Sequence, residues 1–326
     1  MVIRTTEEKK FAALKGMTIL ESALFEGAVF EYSCENGQCG VCKTSLLEGQ
    51  VKELHPQLAL TNKDIAENKI LTCCCEPITD ILIDSEDLTA LKNIEIKTFP
   101  VRVSTIKQHS KDIVEVVLRL PPAASFNFLE GQYIDVIWNG VRRSYSIAST
   151  NEEKELTLLV KKVEKGVMSD FWFTQAKENE LLRIEGPKGT FFIRDTSKPL
   201  VFLATGTGIA PIMSILKRLD QNHDFNQQCP IYLFIGNRFA YDHIWKPEFK
   251  KLKVQVEIVV SKPDSFWMGN TGYVQTLALS RLGVKISECN VYACGSSSMI
   301  KSSKESFISA GLLEKQFYSD AFVQSY

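Results

Sequence analysis

Cys34-Glu-Asn-Gly-Gln-Cys39-Gly-Val-Cys42 sets three thiols at C-x4-C-x2-C, and a fourth, Cys73, follows thirty-one residues after the third. A plant-type [2Fe–2S] cluster takes its ligands with this spacing. Thiolates so close in sequence reach one edge of a cluster only from a loop wrapped around it. The ligand that closes the far iron must therefore come from elsewhere in the fold. Gly37 and Gly40 let such a loop turn with positive φ and free backbone N–H groups to point at the sulfurs. A zinc site would pair C-x2-C with a second C-x2-C or with His, and neither stands beside this motif. The stretch predicts a small α+β domain whose largest loop is filled by the cluster, with Cys34, Cys39, Cys42 and Cys73 as metal ligands.

The fourth ligand has neighbours, because Cys73, Cys74 and Cys75 run together. If a strand beginning at Ile70 runs to Cys74, then Cys73 and Cys75 share a face and Cys74 points away. The segment from Cys42 to Cys73 resembles ferredoxin domains, in which a Leu-Thr-Cys carries the ligand, and Leu71-Thr72-Cys73 matches it. Cys73 is the expected ligand, Cys75 the fallback, and Cys74 a packing residue.

A chain of 326 residues exceeds one ordinary core and suits two or three domains. With 44% hydrophobic and 24% charged residues it has an ordinary soluble composition. Lys and Arg number 38 against 39 Asp and Glu, which leaves no basic field for nucleic acid. The first ten residues lack the apolar core of a signal peptide, and no apolar run approaches a membrane span. Nine cysteines in such a chain argue for metal ligation in a reducing compartment rather than for disulfides. A cytoplasmic protein is expected.

In chain order, residues 1–90 read as the cluster domain. Val2–Arg4 and Lys9–Ala13 pair as a hairpin, and Thr18–Phe25 forms a helix with Thr18 and Glu21 as a capping box. Val41–Leu47 and Ile78–Asp84 are strand-like. A short, partly ordered connector spans about 86–98. Residues 98–197 read as a six-stranded antiparallel barrel, with strands near Val101–Lys107, Ile113–Leu120, Gln132–Trp138, Ser144–Ala148, Glu155–Val163 and Leu182–Gly186. One helical interruption is expected at Ser169–Ala176. From residue 198 to 326 nearly continuous apolar runs, such as Leu200–Thr205 and Val254–Val260, alternate with helices. Buried parallel strands require such runs, so this part reads as an α/β domain with an open parallel sheet.

Three further stretches carry chemistry. On an extended strand, Arg143-Ser-Tyr-Ser146 puts Arg143 and Tyr145 on one face and Ser144 and Ser146 on the other. A phenol ring can lie against an isoalloxazine, a hydroxyl can bond a ring nitrogen, and a guanidinium can pair with phosphate. Gly206-Thr-Gly208-Ile-Ala-Pro211 follows an apolar strand and opens a helix. Its glycines let backbone approach a pyrophosphate, which the helix N-terminus attracts. It lacks the third glycine of a complete dinucleotide fingerprint. Cys294-Gly-Ser-Ser297 ends another apolar strand, at the carboxyl edge where open α/β sheets bind ligands.

Together and in this order, the three stretches resemble the ferredoxin–NADP⁺ reductase superfamily. The added cluster domain resembles the iron–sulfur flavoprotein reductases that serve oxygenases or dehydratases, over nearly the whole chain. The resemblance implies that Arg143, Tyr145 and Ser146 bind the flavin, that Gly166-Val167-Met168-Ser169 caps its diphosphate, and that Phe322 covers its other face. It implies that Gly206, Thr207, Gly208, Pro211, Gly295 and Ser296 belong to the nucleotide site. It also implies that Cys294, with Ser146, positions the hydride path, that the flavin is FAD, and that the nucleotide is NADH. Arg238, after the second strand of the sheet, could meet a 2′-phosphate, the diphosphate or solvent.

A flavin is required between the other two cofactors. Nicotinamide gives two electrons as hydride, a [2Fe–2S] cluster takes one at a time, and flavin is stable in all three redox states. The chain order is thus cluster, flavin, nucleotide, and the electron order is the reverse. The length and the ending Phe317-Tyr-Ser-Asp-Ala-Phe322 look most like family members that feed a pyridoxamine-phosphate (PMP) dehydratase in dideoxysugar and lipopolysaccharide biosynthesis. A reductase component for an oxygenase shares every motif. A cluster-based redox sensor would need no complete hydride site.

Overall fold

The computed structural model describes residues 1–225 and 227–322. They divide into two compact units, Met1–Glu95 with the described residues from Asp320 onward, and Ile96–Ser319.

In the first unit β1 (Val2–Thr5) pairs antiparallel with β2 (Lys10–Ala12), the expected hairpin. Helix α1 (Ile19–Phe25) opens at Thr18, where both halves of the capping box form. Thr18 Oγ1 accepts from the Glu21 amide at 3.1 Å, and Glu21 Oε2 accepts from the Thr18 amide at 2.7 Å. After the cysteine loop come β3 (Lys43–Glu48), β4 (Val51–Glu53), α2 (Asn62–Ala66), β5 (Lys69–Leu71), β6 (Cys75–Pro77) and β7 (Ile81–Ile83). The sheet runs β2-β1-β7-β3-β5, with β4-β6 as a separate ribbon. Ile3, Leu20, Phe30, Leu71 and Ile81 fill the core beneath it.

Strand β5 stops at Leu71, and Thr72–Cys74 form a turn. The two-residue alternation expected to separate Cys73 and Cys75 from Cys74 therefore does not apply. All three side chains are buried. The connector is ordered: Asp87 binds Lys9 and the Val29 amide, and a short 3-10 turn covers Thr89–Leu91.

The second unit begins with β8 (Lys97–Ser110), β9 (Ile113–Arg119), β10 (Tyr133–Trp138), β11 (Val141–Ser146), β12 (Glu155–Lys161), α3 (Val167–Asp170) and β13 (Leu181–Lys188). Its sheet is antiparallel with order β11-β10-β13-β8-β9-β12, and the edges meet at an Ile147–Leu158 bridge. The helical interruption starts at Val167 and continues through a π-turn at Phe171–Gln175, two residues earlier than expected. Inward Val, Ile and Leu side chains from every strand, with Phe171 and Trp172, fill the barrel.

The parallel sheet follows, with β14 (Leu200–Thr205), α4 (Ile209–Gln221), β15 (Ile231–Asn237), β16 (Val254–Val260), β17 (Asn270–Thr271), α5 (Val274–Leu282), β18 (Asn290–Ser296), α6 (Ser297–Ser309) and β19 (Phe317–Phe322). The order β17-β16-β15-β14-β18-β19 reverses direction between β14 and β18. Ligands of open α/β sheets bind outside the strand ends at such a reversal. Helix α4 buries Ile209, Ile212 and Leu216 on the face that the sequence spacing gives them. No helix among the described residues is long and apolar enough to cross a membrane.

Candidate functional site

The cysteine loop gathers its thiols in two pairs. Cys42 Sγ lies 3.2 Å from Cys73 Sγ. The Cys39 amide donates to Cys34 Sγ at 3.3 Å, and the Val41 amide to Cys39 Sγ at 3.5 Å. In each pair one thiol is driven toward thiolate. A hydrogen bond from the Cys39 thiol, aided by the amides of Asn36, Cys39 and Gln38, brings Cys34 down to about 6. Cys73 is lowered by the Cys42 thiol, then by Cys74 and the Gly37 amide. Their partners Cys39 and Cys42 are pushed well up by the same bonds and by burial.

Gly37 has φ +78°, and a Cβ there would meet Pro56 O at 2.3 Å and Cys74 Sγ at 2.8 Å. The loop is thus closed tightly against the segment that follows it. Among the described residues no group of three or more His, Cys, Asp or Glu side chains could hold a single metal ion. Two thiol pairs served by backbone donors fit a binuclear cluster, with two thiolates on each iron. Cys75 lies on β6, where burial pushes its thiol up to about 12.

On β11 the expected faces separate. Arg142 and Ser144 turn to one side, where both bind Asp135, at 3.1 and 2.6 Å. Arg143 and Tyr145 turn to the other. The Arg143 guanidinium donates to the Arg142 carbonyl at 2.7 Å and meets no carboxylate among the described residues. Tyr145 accepts from Trp172 Nε1 at 3.1 Å, and burial raises its pKa. Ser146 is buried. Gly166 opens α3, Ser169 Oγ accepts from the Val163 amide at 2.7 Å, Met168 is buried, and Val167 faces solvent. A guanidinium without an acid beside a half-buried phenol fits a flavin phosphate and ring. Phe322 ends β19 and is 38% exposed.

At the β14–β18 reversal, Gly206-Thr207-Gly208 and Cys294-Gly295-Ser296 come together. A Cβ on Gly208 would lie 2.3 Å from the Cys294 carbonyl oxygen, and one on Gly295 would lie 2.1 Å from Thr205 Oγ1. Thr205 Oγ1 in turn accepts from the Ser296 amide at 3.3 Å. Glycine is required at both positions for the two strand ends to approach this closely. No side chain caps α4; the Ile209 amide bonds back to the carbonyls of the Gly206–Gly208 turn, and Pro211 occupies the first turn of the helix. The Cys294 side chain is fully buried against the core around Ala204 and Tyr292. Arg238 follows β15 with its guanidinium 5.6 Å over the Phe239 ring.

Two groups here escaped the sequence reading. Lys161, at the end of β12, brings its Nζ to 3.8 Å from the Cβ position of Gly206. Asn237 is 6% exposed, and its Nδ2 meets no acceptor among the described residues. It lines a small cleft with Gly206, Ile209, Asp242, His243 and Trp245. The Gly-Asn-Arg stretch could have pointed to Asn237. Nothing local in sequence links Lys161 to Gly206. An ammonium and an orphaned amide fit the phosphates and polar edges of a dinucleotide.

Comparison with known proteins gives a domain of each kind, in the same order along the chain. The chain matches the 2Fe-2S iron-sulfur cluster binding domain over residues 3–77, the oxidoreductase FAD-binding domain over 100–193 and the oxidoreductase NAD-binding domain over 202–305. It is 43% identical to the CDP-6-deoxy-L-threo-D-glycero-4-hexulose-3-dehydrase reductase of Yersinia pestis, with 94% of each chain covered. It is 36% identical to protein RfbI of Salmonella typhimurium, over 97% of this chain and 94% of that one. Among solved structures, the ferredoxin reductase in carbazole 1,9a-dioxygenase superposes with a TM-score of 0.71 at 25% identity, covering 99% of this chain and 98% of the other.

Proposed function

The chain belongs to the [2Fe–2S] flavoprotein reductases of the ferredoxin–NADP⁺ reductase superfamily, and we propose that it passes electrons from NADH to a PMP-dependent dehydratase. That partner would remove the C-3 oxygen of a CDP-4-keto-6-deoxyhexose on the way to a 3,6-dideoxyhexose, as in CDP-6-deoxy-3,4-glucoseen reductase. One observation carries this reading: the 43% identity, over 94% of both chains, to a relative named for reducing such a dehydrase. The likeness to the carbazole dioxygenase reductase favours a second reading, an oxygenase partner, which rests on a lower identity.

Bound flavin supplies the conversion of paired electrons from nicotinamide into the single electrons that a [2Fe–2S] cluster carries. The chain's own residues bind and orient. Cys34 and Cys39 would hold one iron, Cys42 and Cys73 the other. Arg143 would pair with the flavin phosphate, Tyr145 would lie against the ring, and the Ser146 hydroxyl would hydrogen-bond a ring nitrogen. The amides of the Gly166–Ser169 turn would meet the diphosphate, and Phe322 would cover the other ring face. The Gly206–Gly208 turn, with Thr207, Pro211, Gly295 and Ser296, would seat the dinucleotide, with Arg238 at its rim. Cys294 would set the edge along which the nicotinamide lies. These roles correspond to cluster, flavin and nucleotide domains at 1–90, 98–197 and 198–326. The nine cysteines form no disulfide among the described residues, which supports a reducing, cytoplasmic setting.

The test is a reconstituted mixture of this protein, NADH, a PMP-dependent dehydratase and its CDP-sugar, with an oxygenase component run in parallel. The 3-deoxygenated sugar is the expected product. Turnover with the oxygenase and none with the dehydratase would overturn the partner and leave the electron path standing.

A further inference from the structure

The third thiol of the cysteine run has a contact that packing alone does not call for. Cys74 is fully buried, and its Sγ lies 3.6 Å from Cys73 Sγ. Its place is fixed on two further sides. The Pro56 carbonyl lies 3.7 Å away, and a Cβ at Gly37 would sit 2.8 Å from the sulfur. Its thiol therefore has two acceptors within reach, the Pro56 oxygen and the Cys73 sulfur.

We propose that Cys74 tunes the cluster, its S–H donating a hydrogen bond to the sulfur of Cys73 and raising the reduction potential of the iron that Cys73 holds. This rests on the reading above, in which Cys73 is a ligand. A cysteine bound to iron has given up its proton, so in the Cys73–Cys74 pair only Cys74 can donate. Reduction places one more negative charge on the cluster and makes the Cys73 sulfur a stronger acceptor. The bond then stabilises the reduced state more than the oxidised one. Hydrogen bonds to cluster sulfurs are among the levers that set potential, and Gly37 already directs its amide to the same sulfur. Cys74 would add a side-chain donor to that backbone donor and make the cluster a better acceptor for single electrons. Cys74 acts through Cys73 and touches no substrate, so it is a positioning residue.

The experiment is a dye-mediated redox titration of the cluster, followed by its electron paramagnetic resonance signal, in the whole protein carrying Cys74→Ala or Cys74→Ser. Iron and FAD content should equal wild type in both. The midpoint should shift downward in Cys74→Ala and return most of the way in Cys74→Ser, whose hydroxyl still donates. An unchanged midpoint in a cluster-loaded Cys74→Ala, or equal shifts in both variants, would overturn the proposal. Should Cys74→Ala fail to hold iron, infrared difference spectra of wild type between oxidised and reduced cluster decide. An S–H stretch that disappears in Cys74→Ser should move to lower frequency on reduction, and a band that stays in place overturns the idea. Wild-type protein that binds no iron would instead refute the cluster reading itself.

Discussion

Gly208→Ala tests the nucleotide crevice with one methyl group. The added Cβ would stand 2.3 Å from the Cys294 carbonyl oxygen, 2.6 Å from its carbon and 2.8 Å from Gly295 Cα. All three are backbone atoms, so no side chain can swing aside. The nearest approach falls about 1 Å short of ordinary contact at 3.4 Å, and the Gly206–Gly208 turn and the end of β18 must part by about that much. Gly208 has φ −61°, which any residue can adopt, so the whole effect is steric. Overpacking of this kind costs about 1–3 kcal/mol, which should appear as a lower Tm. The kinetic effect should be larger, since a misplacement of about 1 Å at a reacting centre costs on the order of a hundredfold. Anaerobic stopped-flow reduction of the flavin by NADH reads this directly, with FAD and iron content as controls. Flavin reduction at the wild-type rate, with an unchanged KM for NADH, would refute the assignment of this turn to the nucleotide.

Arg143→Ala should weaken flavin binding about tenfold or more, since a charge-assisted hydrogen bond contributes roughly 1.5–3 kcal/mol, and flavin retained in full after dilution would refute the site. Lys161→Ala should raise the KM for NADH several-fold at low salt with flavin content unchanged, and the difference should shrink as ionic strength rises; a salt-independent effect would point to packing instead. Glu185 is held down at about 2 from its ordinary 4.5, first by Arg142 and then by Lys188. Because its folded pKa is depressed, its stabilisation is full above pH 4.5 and is lost as pH falls toward 2. Glu185→Gln should therefore lower Tm at neutral pH, by a gap that closes across that window.

What the sequence revealed was mostly local. The C-x4-C-x2-C spacing constrains a single loop, and Thr18 with Glu21 sits three residues apart, so both could be read without knowing the rest of the fold. The apolar runs of β14, β15 and β18 declared a parallel sheet because each is buried on both faces, while β16 is buried only at Val259 and Val260. The second capping box, Thr61 with Asp64, went unread because its helix is only five residues long and has little apolar periodicity. The alternation expected of Cys73–Cys75 needs a strand, and the chain turns after Leu71 instead. Long-range approaches were out of reach. The contacts of Gly208 with Cys294, of Lys161 with Gly206, and of Cys74 with Pro56 and Gly37 join residues far apart in sequence, and composition carries no trace of them.

The central claim is that single electrons leave through the cluster and not directly from the flavin. Cys42→Ser tests it most directly, since serine keeps the shape but is a poor soft ligand. The variant, purified with FAD and without iron, should reduce its flavin with NADH at the wild-type rate and fail to support product formation by the dehydratase. Dehydratase turnover at the wild-type rate by this cluster-free protein would contradict the account.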